Sequence, residues 1–145
     1  MFTHFIVPTD GSRLSDKALA HAVELAKATG GRITVFHVSP TFPVTIYADG
    51  MTLDLMSRRE YAKIMKADAA KVLERAAGRV KGVPCDTLHS VADSPWEAIL
   101  AAAKKAKADT IVMASHGRRG LVGLLLGSET TKVLTHSKLP VVVVR

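Results

Sequence analysis

The sequence predicts a three-layer α/β/α domain around a doubly wound, five-stranded parallel sheet. Three observations predict it. Strand-like and helix-like segments alternate four times before a final strand. The strand segments are short continuous apolar runs, as in a sheet covered on both faces. At 145 residues, 48% of them apolar and 23% charged, the chain suits one domain with a sizeable core.

Phe5–Thr9 reads as the first strand, closed by a turn at Asp10-Gly11-Ser12. From Ser12 to Thr29 the period becomes helical. Leu14, Ala18, Ala22 and Leu25 form an inward stripe, which Leu19, Val23 and Ala26 widen. Gly30-Gly31 ends this helix, since glycine enters the left-handed region without steric cost. Arg32–Val38 is strand two. A long connection, Ser39–Ser57, leads to a helix over Arg58–Val80 with an inward row of Tyr61, Met65, Ala69, Val72 and Ala76. The connection exceeds the usual few residues, so it is either a lid over a ligand edge or a cover for a satellite core.

Pro84–His89 is strand three. Ser94-Pro95-Trp96-Glu97 then reads as a helix start, with Ser94 as cap, Pro95 at the first position and Glu97 reaching back. That helix runs to about Lys107. Thr110–Ser115 is strand four, Ser128 to about His136 the last helix, and Pro140–Val144 strand five. Right-handed crossovers make the sheet doubly wound, and such sheets bind ligands beyond the carboxyl ends of the strands where the order reverses.

Composition narrows function. The net charge of +7 attracts anions in general, but the basic residues are scattered and aromatics are only 5%. That argues against a dedicated nucleic-acid binder and for a phosphorylated small ligand. Cys85 is the single cysteine, so no intramolecular disulfide forms; it reads as a reduced core thiol. The sequence shows no long apolar stretch and no secretory pattern, so a cytoplasmic location without membrane partners is expected.

The chemistry concentrates in Ala114–Ser128. Strand four ends at Ser115, the chain turns through Gly117 and Gly120, and a helix starts at Gly127-Ser128. Free N–H groups and the aligned peptide dipoles at a helix start attract phosphate, and glycines let the backbone approach it. The spacing is neither the Walker pattern nor the dinucleotide fingerprint. Glycine turns that serve only the fold are the alternative. Asp10, at the end of strand one, either accepts from a ribose or base or caps the following helix. Arg118 and Arg119 either neutralise phosphate or face water. His116 is a candidate to bond phosphate or to prime a water.

The order Val7-Pro8-Thr9-Asp10-Gly11-Ser12, Phe36-His37-Val38, Ser115-His116-Gly117 and Gly127-Ser128 resembles the universal stress protein family along the whole chain, residues 1–145. Its nucleotide-binding branch carries glycine, two residues, glycine, nine residues, then glycine and serine or threonine. Here Gly117 is the second glycine, Arg118–Leu126 the nine-residue spacer, and Ala114 stands in place of the first glycine. The resemblance implies an adenine-nucleotide alpha-hydrolase-like fold with strand order 3-2-1-4-5. It implies an ATP or adenine-nucleotide site for stress response or signalling, with Mg²⁺ arriving on the nucleotide. Pro8, Thr9, Asp10 and Val38 would form its adenosine side. Met113, Ala114, Gly117, Gly127, Ser128 and Glu129 would line the ribose and phosphates. A homodimer through Val141–Val144 is implied as well, and an exposed β-branched edge strand invites such pairing on physical grounds. No catalytic residue or resident metal is assigned. The alternatives are a non-nucleotide dimeric interaction protein of the same fold, favoured by Ala114 and Glu129, and a slow ATP hydrolase. Protein partners are left open.

Overall fold

The computed structural model describes residues 1–43, 56–117 and 126–145. The elements run β1 (His4–Pro8), α1 (Arg13–Thr29), β2 (Arg32–Ser39), α2 (Arg58–Arg79), β3 (Cys85–Val91), α3 (Pro95–Ala106), β4 (Thr110–Ala114), α4 (Ser128–His136) and β5 (Val141–Val144). All strand pairs are parallel, in the order β3-β2-β1-β4-β5. This is the expected doubly wound sheet, and β1 is the central strand.

Strand alternation distributes the core to two faces. Phe5, Val7, Ile33, Val35, Val112 and Ala114 pack with Ala18, Leu19, Ala22, Val23 and Ala26 of α1 and with Leu73 and Ala76 of α2. Ile6, Phe36, Ile111 and Met113 pack with Ala98, Ile99, Ala102 and Ala103 of α3 and Val133 of α4. The sheet is therefore sandwiched between α1 and α2 on one face and α3 and α4 on the other. Among the described residues, no helix is long and apolar enough to cross a membrane.

Several local expectations are corrected. Leu25 is exposed, because the buried stripe of α1 follows Ala18, Ala22 and Ala26. In α2, Leu73 is buried and Val72 only half-buried, so the inward row is Ala69, Leu73 and Ala76. β3 is an edge strand with exposed Asp86 and Thr87, not a two-sided apolar run. Cys85 packs against the α1–α2 core while half-buried, and burial pushes its thiol pKa up. Gly30 does take the left-handed conformation at φ 66° and closes α1, its N–H bonding the Ala26 carbonyl. The Ser39–Ser57 connection is described only at its ends. The lid and satellite-core readings of it, with Ile46, Tyr47, Met51, Leu53 and Leu55, fall on residues outside the described ones.

The start of α3 differs most. Ser94 is its N-cap and Pro95 its first residue, but the Ser94 side chain makes no cap bond. The Trp96 N–H donates instead to Glu129 Oε2 of α4, at 2.8 Å.

Candidate functional site

The order of strands reverses between β1 and β4, because α1 and α2 carry the chain to one side of β1 and α3 carries it to the other. Phe5 pairs with Thr110 and Ile6 with Ile111. Continuing that register sets Ala114 level with Thr9 and Ser115 level with Asp10. Pro8 pairs with Phe36, so His37 and Val38 continue β2 past the end of β1, beside the Thr9–Asp10 turn. Three segments read separately in the sequence thus meet at one edge.

The β1 end is tightly held. Thr9 is buried, and its N–H donates to the Phe36 carbonyl at 2.8 Å. Its hydroxyl lies 3.1 Å from Ser15 Oγ and accepts the Gly11 N–H at 3.1 Å. The Thr9 carbonyl accepts from His37 Nδ1 at 2.8 Å, which fixes the proton of a neutral His37 ring on Nδ1. Asp10 accepts the Ser12 N–H through Oδ1 at 2.9 Å. Gly11 turns the chain at φ 77°. Ser12 Oγ then caps α1 by accepting the Ser15 N–H at 3.2 Å. Asp10 itself is not the N-cap; its carboxylate braces the turn that leads there.

The β4 end and α4 are clipped together. The Gly127 N–H donates to the Ser115 carbonyl at 2.7 Å, and Thr130 Oγ1 donates to the Ala114 carbonyl at 3.0 Å. Gly127 is the N-cap of α4 and offers no side-chain oxygen. The N–H groups of Ser128, Glu129 and Thr130 are without intrahelical partners by helix geometry, and no described side chain accepts from them.

The motif glycines are explained by space, not by backbone conformation. Neither Gly117 nor Gly127 has a positive φ. A Cβ at Gly117 would lie 2.9 Å from Asp10 Oδ2, and one at Gly127 would lie 3.1 Å from both Cα and Cβ of His116. The first of these contacts brings the β1 and β4 ends within touching distance. The methyl of Ala114, the last residue of β4, belongs to the core cluster beneath α1. Met113 is buried in the opposite cluster. Glu129 turns to Trp96 and Lys132, the latter at 3.2 Å. His116 Nδ1 lies 3.2 Å from Ser115 Oγ, and its backbone packs against Gly127. Arg118, Arg119 and Gly120 lie outside the described residues.

His37, which the sequence offered as part of the Phe36-His37-Val38 resemblance, braces Thr9. Its ring stacks at 6.1 Å on His89 of β3, whose Nε2 lies 2.9 Å from Ser39 Oγ. Burial, then the neighbouring His37, hold the His89 pKa below its ordinary value. Among the described residues, no three His, Cys, Asp or Glu side chains group to hold a metal. Two hollows of about 510 and 430 Å³ lie elsewhere, one between α1 and β5 and one between α2 and the β3 edge. Neither is lined by Asp10, Gly117 or Gly127; the candidate site is identified by the polar geometry at the strand ends.

Fold and edge together define a doubly wound α/β protein with its polar turn residues gathered where the strand order reverses. The sequence profile of the Universal stress protein family matches residues 1–145, and the chain belongs to that family. Universal stress protein YxiE of Bacillus subtilis is 34% identical over 154 aligned residues, covering all of both chains. The structure of MJ0577 superposes with a TM-score of 0.80 at 24% identity, over 99% of this chain and 96% of that one. A universal stress protein solved in complex with cAMP superposes at 0.70, with 24% identity over 99% and 97% of the two chains. One from Archaeoglobus fulgidus in complex with dAMP superposes at 0.60, with 21% identity and full coverage of both. At these identities the superpositions speak to the fold.

Proposed function

We propose that this protein binds an adenine nucleotide where β1, β4 and α4 converge, and that the nucleotide acts as a ligand or switch in stress signalling. The observation that carries the reading is the close approach of the Asp10 turn to Gly117 at the end of β4, the same end to which the α4 N-terminus is clipped through Gly127 and Ser115. Pro8, Thr9, Asp10 and Val38 take the adenosine end. Met113, Ala114, Gly117, Gly127 and Ser128 form the ribose and phosphate end, with Arg118 and Arg119 as its cations. The complexes of two proteins of this fold with cAMP and dAMP support a mononucleotide-sized ligand. ATP enters this scheme with Mg²⁺ as the nucleotide's own counter-ion. A switch requires that the nucleotide bind two protein conformations with different affinity.

β5 is the sheet's other edge, and Val142 is exposed on it. Pairing of two β5 strands would make a homodimer and cover that edge.

Mass analysis of the native protein identifies any retained nucleotide, and calorimetry measures saturable binding of one adenine nucleotide per chain. Asp10→Ala should weaken binding with an unchanged circular dichroism spectrum. No binding at millimolar nucleotide overturns the proposal. Val142→Glu should lower the sedimentation mass; an unchanged mass removes β5 as the interface.

A further inference from the structure

Glu129 is the second residue of α4, directly after Ser128. Its carboxylate is held at both oxygens. Oε2 accepts the Trp96 N–H at 2.8 Å, and Oε1 lies 3.2 Å from Lys132 Nζ. The Ser94 side chain leaves the first turn of α3 without a cap bond, so swinging Glu129 away would strip an N–H of that turn of its acceptor. A negative charge is therefore fixed in the first turn of the helix whose amides face the incoming anion. Lys132 offsets it in part, but its side chain is 48% exposed and water screens the pair.

We infer that Glu129 determines specificity by phosphate charge, favouring adenosine monophosphates, cyclic ones included, over metal-free triphosphates. The inference rests on the nucleotide reading above and deepens it. The N–H groups of Ser128, Glu129 and Thr130 offer a fixed number of hydrogen bonds, so their share of the attraction saturates with the first phosphate, and the pull of Arg118 and Arg119 is common to the parent and a Glu129 variant. Repulsion from the carboxylate does not saturate; it grows with each further charge on the ligand. Mg²⁺ bound to a triphosphate removes two of those charges and relieves the repulsion. A triphosphate thus enters as its magnesium complex.

Glu129→Gln separates charge from hydrogen bonding, since the amide oxygen still accepts the Trp96 N–H. Calorimetry with AMP and with ATP in EDTA, at low salt and at high salt, reads the effect. At low salt the variant should bind ATP about three- to tenfold more tightly, and AMP within about twofold of the parent. High salt should shrink the ATP gain, because exposed charges are screened. Trp96, the single tryptophan, should keep its emission if the α3 start is intact. Glu129→Ala, which removes charge and cap together, should move the ATP-to-AMP ratio the same way while lowering the urea midpoint. An unchanged ratio in these variants, or a gain that persists at high salt, overturns the inference alone. A parent protein that binds neither nucleotide overturns the nucleotide reading and this inference with it.

Discussion

Gly117→Ala tests the proposed site at its tightest point. Gly117 does not have a positive φ, so alanine meets no backbone penalty there. Its new methyl would sit 2.9 Å from Asp10 Oδ2. Restoring an ordinary contact of 3.4 Å requires a displacement of about 0.5 Å. The carboxylate cannot yield freely, because Oδ1 holds the Ser12 N–H at 2.9 Å and thereby the turn into α1. Straining that bond costs about 0.5–1.5 kcal/mol. Alanine also restricts the unfolded chain, which returns about 0.4–1 kcal/mol. The two nearly cancel, so the urea midpoint should move by the equivalent of less than about 1 kcal/mol. Nucleotide affinity has no such compensation. A ligand gripped by Asp10 and by the α4 amides needs both in register, and misplacing one by half an ångström should cost about tenfold in Kd. Calorimetry and urea denaturation on the same preparation separate the two quantities. An affinity within twofold of the parent, in a folded variant, would refute the claim that Asp10 and Gly117 share one ligand.

Other consequences concern stability. A Cβ at Gly31 would lie 2.5 Å from the Thr3 carbonyl oxygen, a backbone atom that already accepts the Arg32 N–H. Gly31→Ala should destabilise the fold by about 1–3 kcal/mol in urea; no loss would mean that the β1 start shifts without cost. Burial pushes the Asp109 pKa up, but hydrogen bonds from the Thr3 and His4 N–H groups and the Thr3 and Thr110 hydroxyls outweigh it and hold the group below its ordinary 3.8. Its stabilising contribution is present above that value and lost as pH falls through the depressed one, so Asp109→Asn should flatten the acid limb of the urea midpoint. His89 has the converse behaviour. With its folded pKa below 6.5, the unfolded chain takes up the proton first, and stability should fall as pH drops below 6.5. His4, depressed by burial and then by Arg32, adds a slope of the same sign. His89→Asn should therefore reduce the slope, not abolish it, and an unchanged slope would refute the assignment.

Much of the fold was legible because its signals are local. Apolar runs such as Phe5–Val7 and Ile111–Met113 sit in the sheet centre, where burial on both faces suits such runs. Gly30 marks the α1 end through its own backbone preference. What the sequence withheld depends on distance. Ser94 takes the N-cap position as the sequence indicated, but no local rule connects Trp96 to Glu129, 33 residues apart, so the acceptor that replaces the Ser94 side chain could not be read. The Ser57–Glu60 capping box of α2 was present as a Ser-x-x-Glu pattern, but the reading placed the helix start by periodicity alone. Leu25 and Val72 were assigned inward because helical periodicity gives a stripe without saying how wide the neighbouring sheet covers it. Asp10 and Gly117 stood out in the sequence as separate turn residues; that one glycine hydrogen stands where a methyl would strike the Asp10 carboxylate emerges only from the β1–β4 register.

The four described helices of this parallel sheet all begin at its carboxyl edge, and their starts are satisfied differently. Ser12 caps α1, Ser57 and Glu60 cap α2 reciprocally, and Glu129 reaches across to α3. At α4 the N-cap is glycine. A serine or aspartate there would serve the helix better by a few tenths of a kcal/mol, but its Cβ would strike His116 at 3.1 Å. That clash is not incidental, because His116 follows directly on Ser115, whose carbonyl clips the Gly127 N–H to β4. The clip that fixes where α4 starts is thus also what denies it a side-chain cap. Among the described residues no side chain accepts from its first-turn donors, whose position is fixed by β4, while the Glu129 carboxylate is committed to α3. In the proposed site, affinity for an anion and a limit on that anion's charge would both trace to Gly127 and Glu129 and to the packing of α4 against its neighbours.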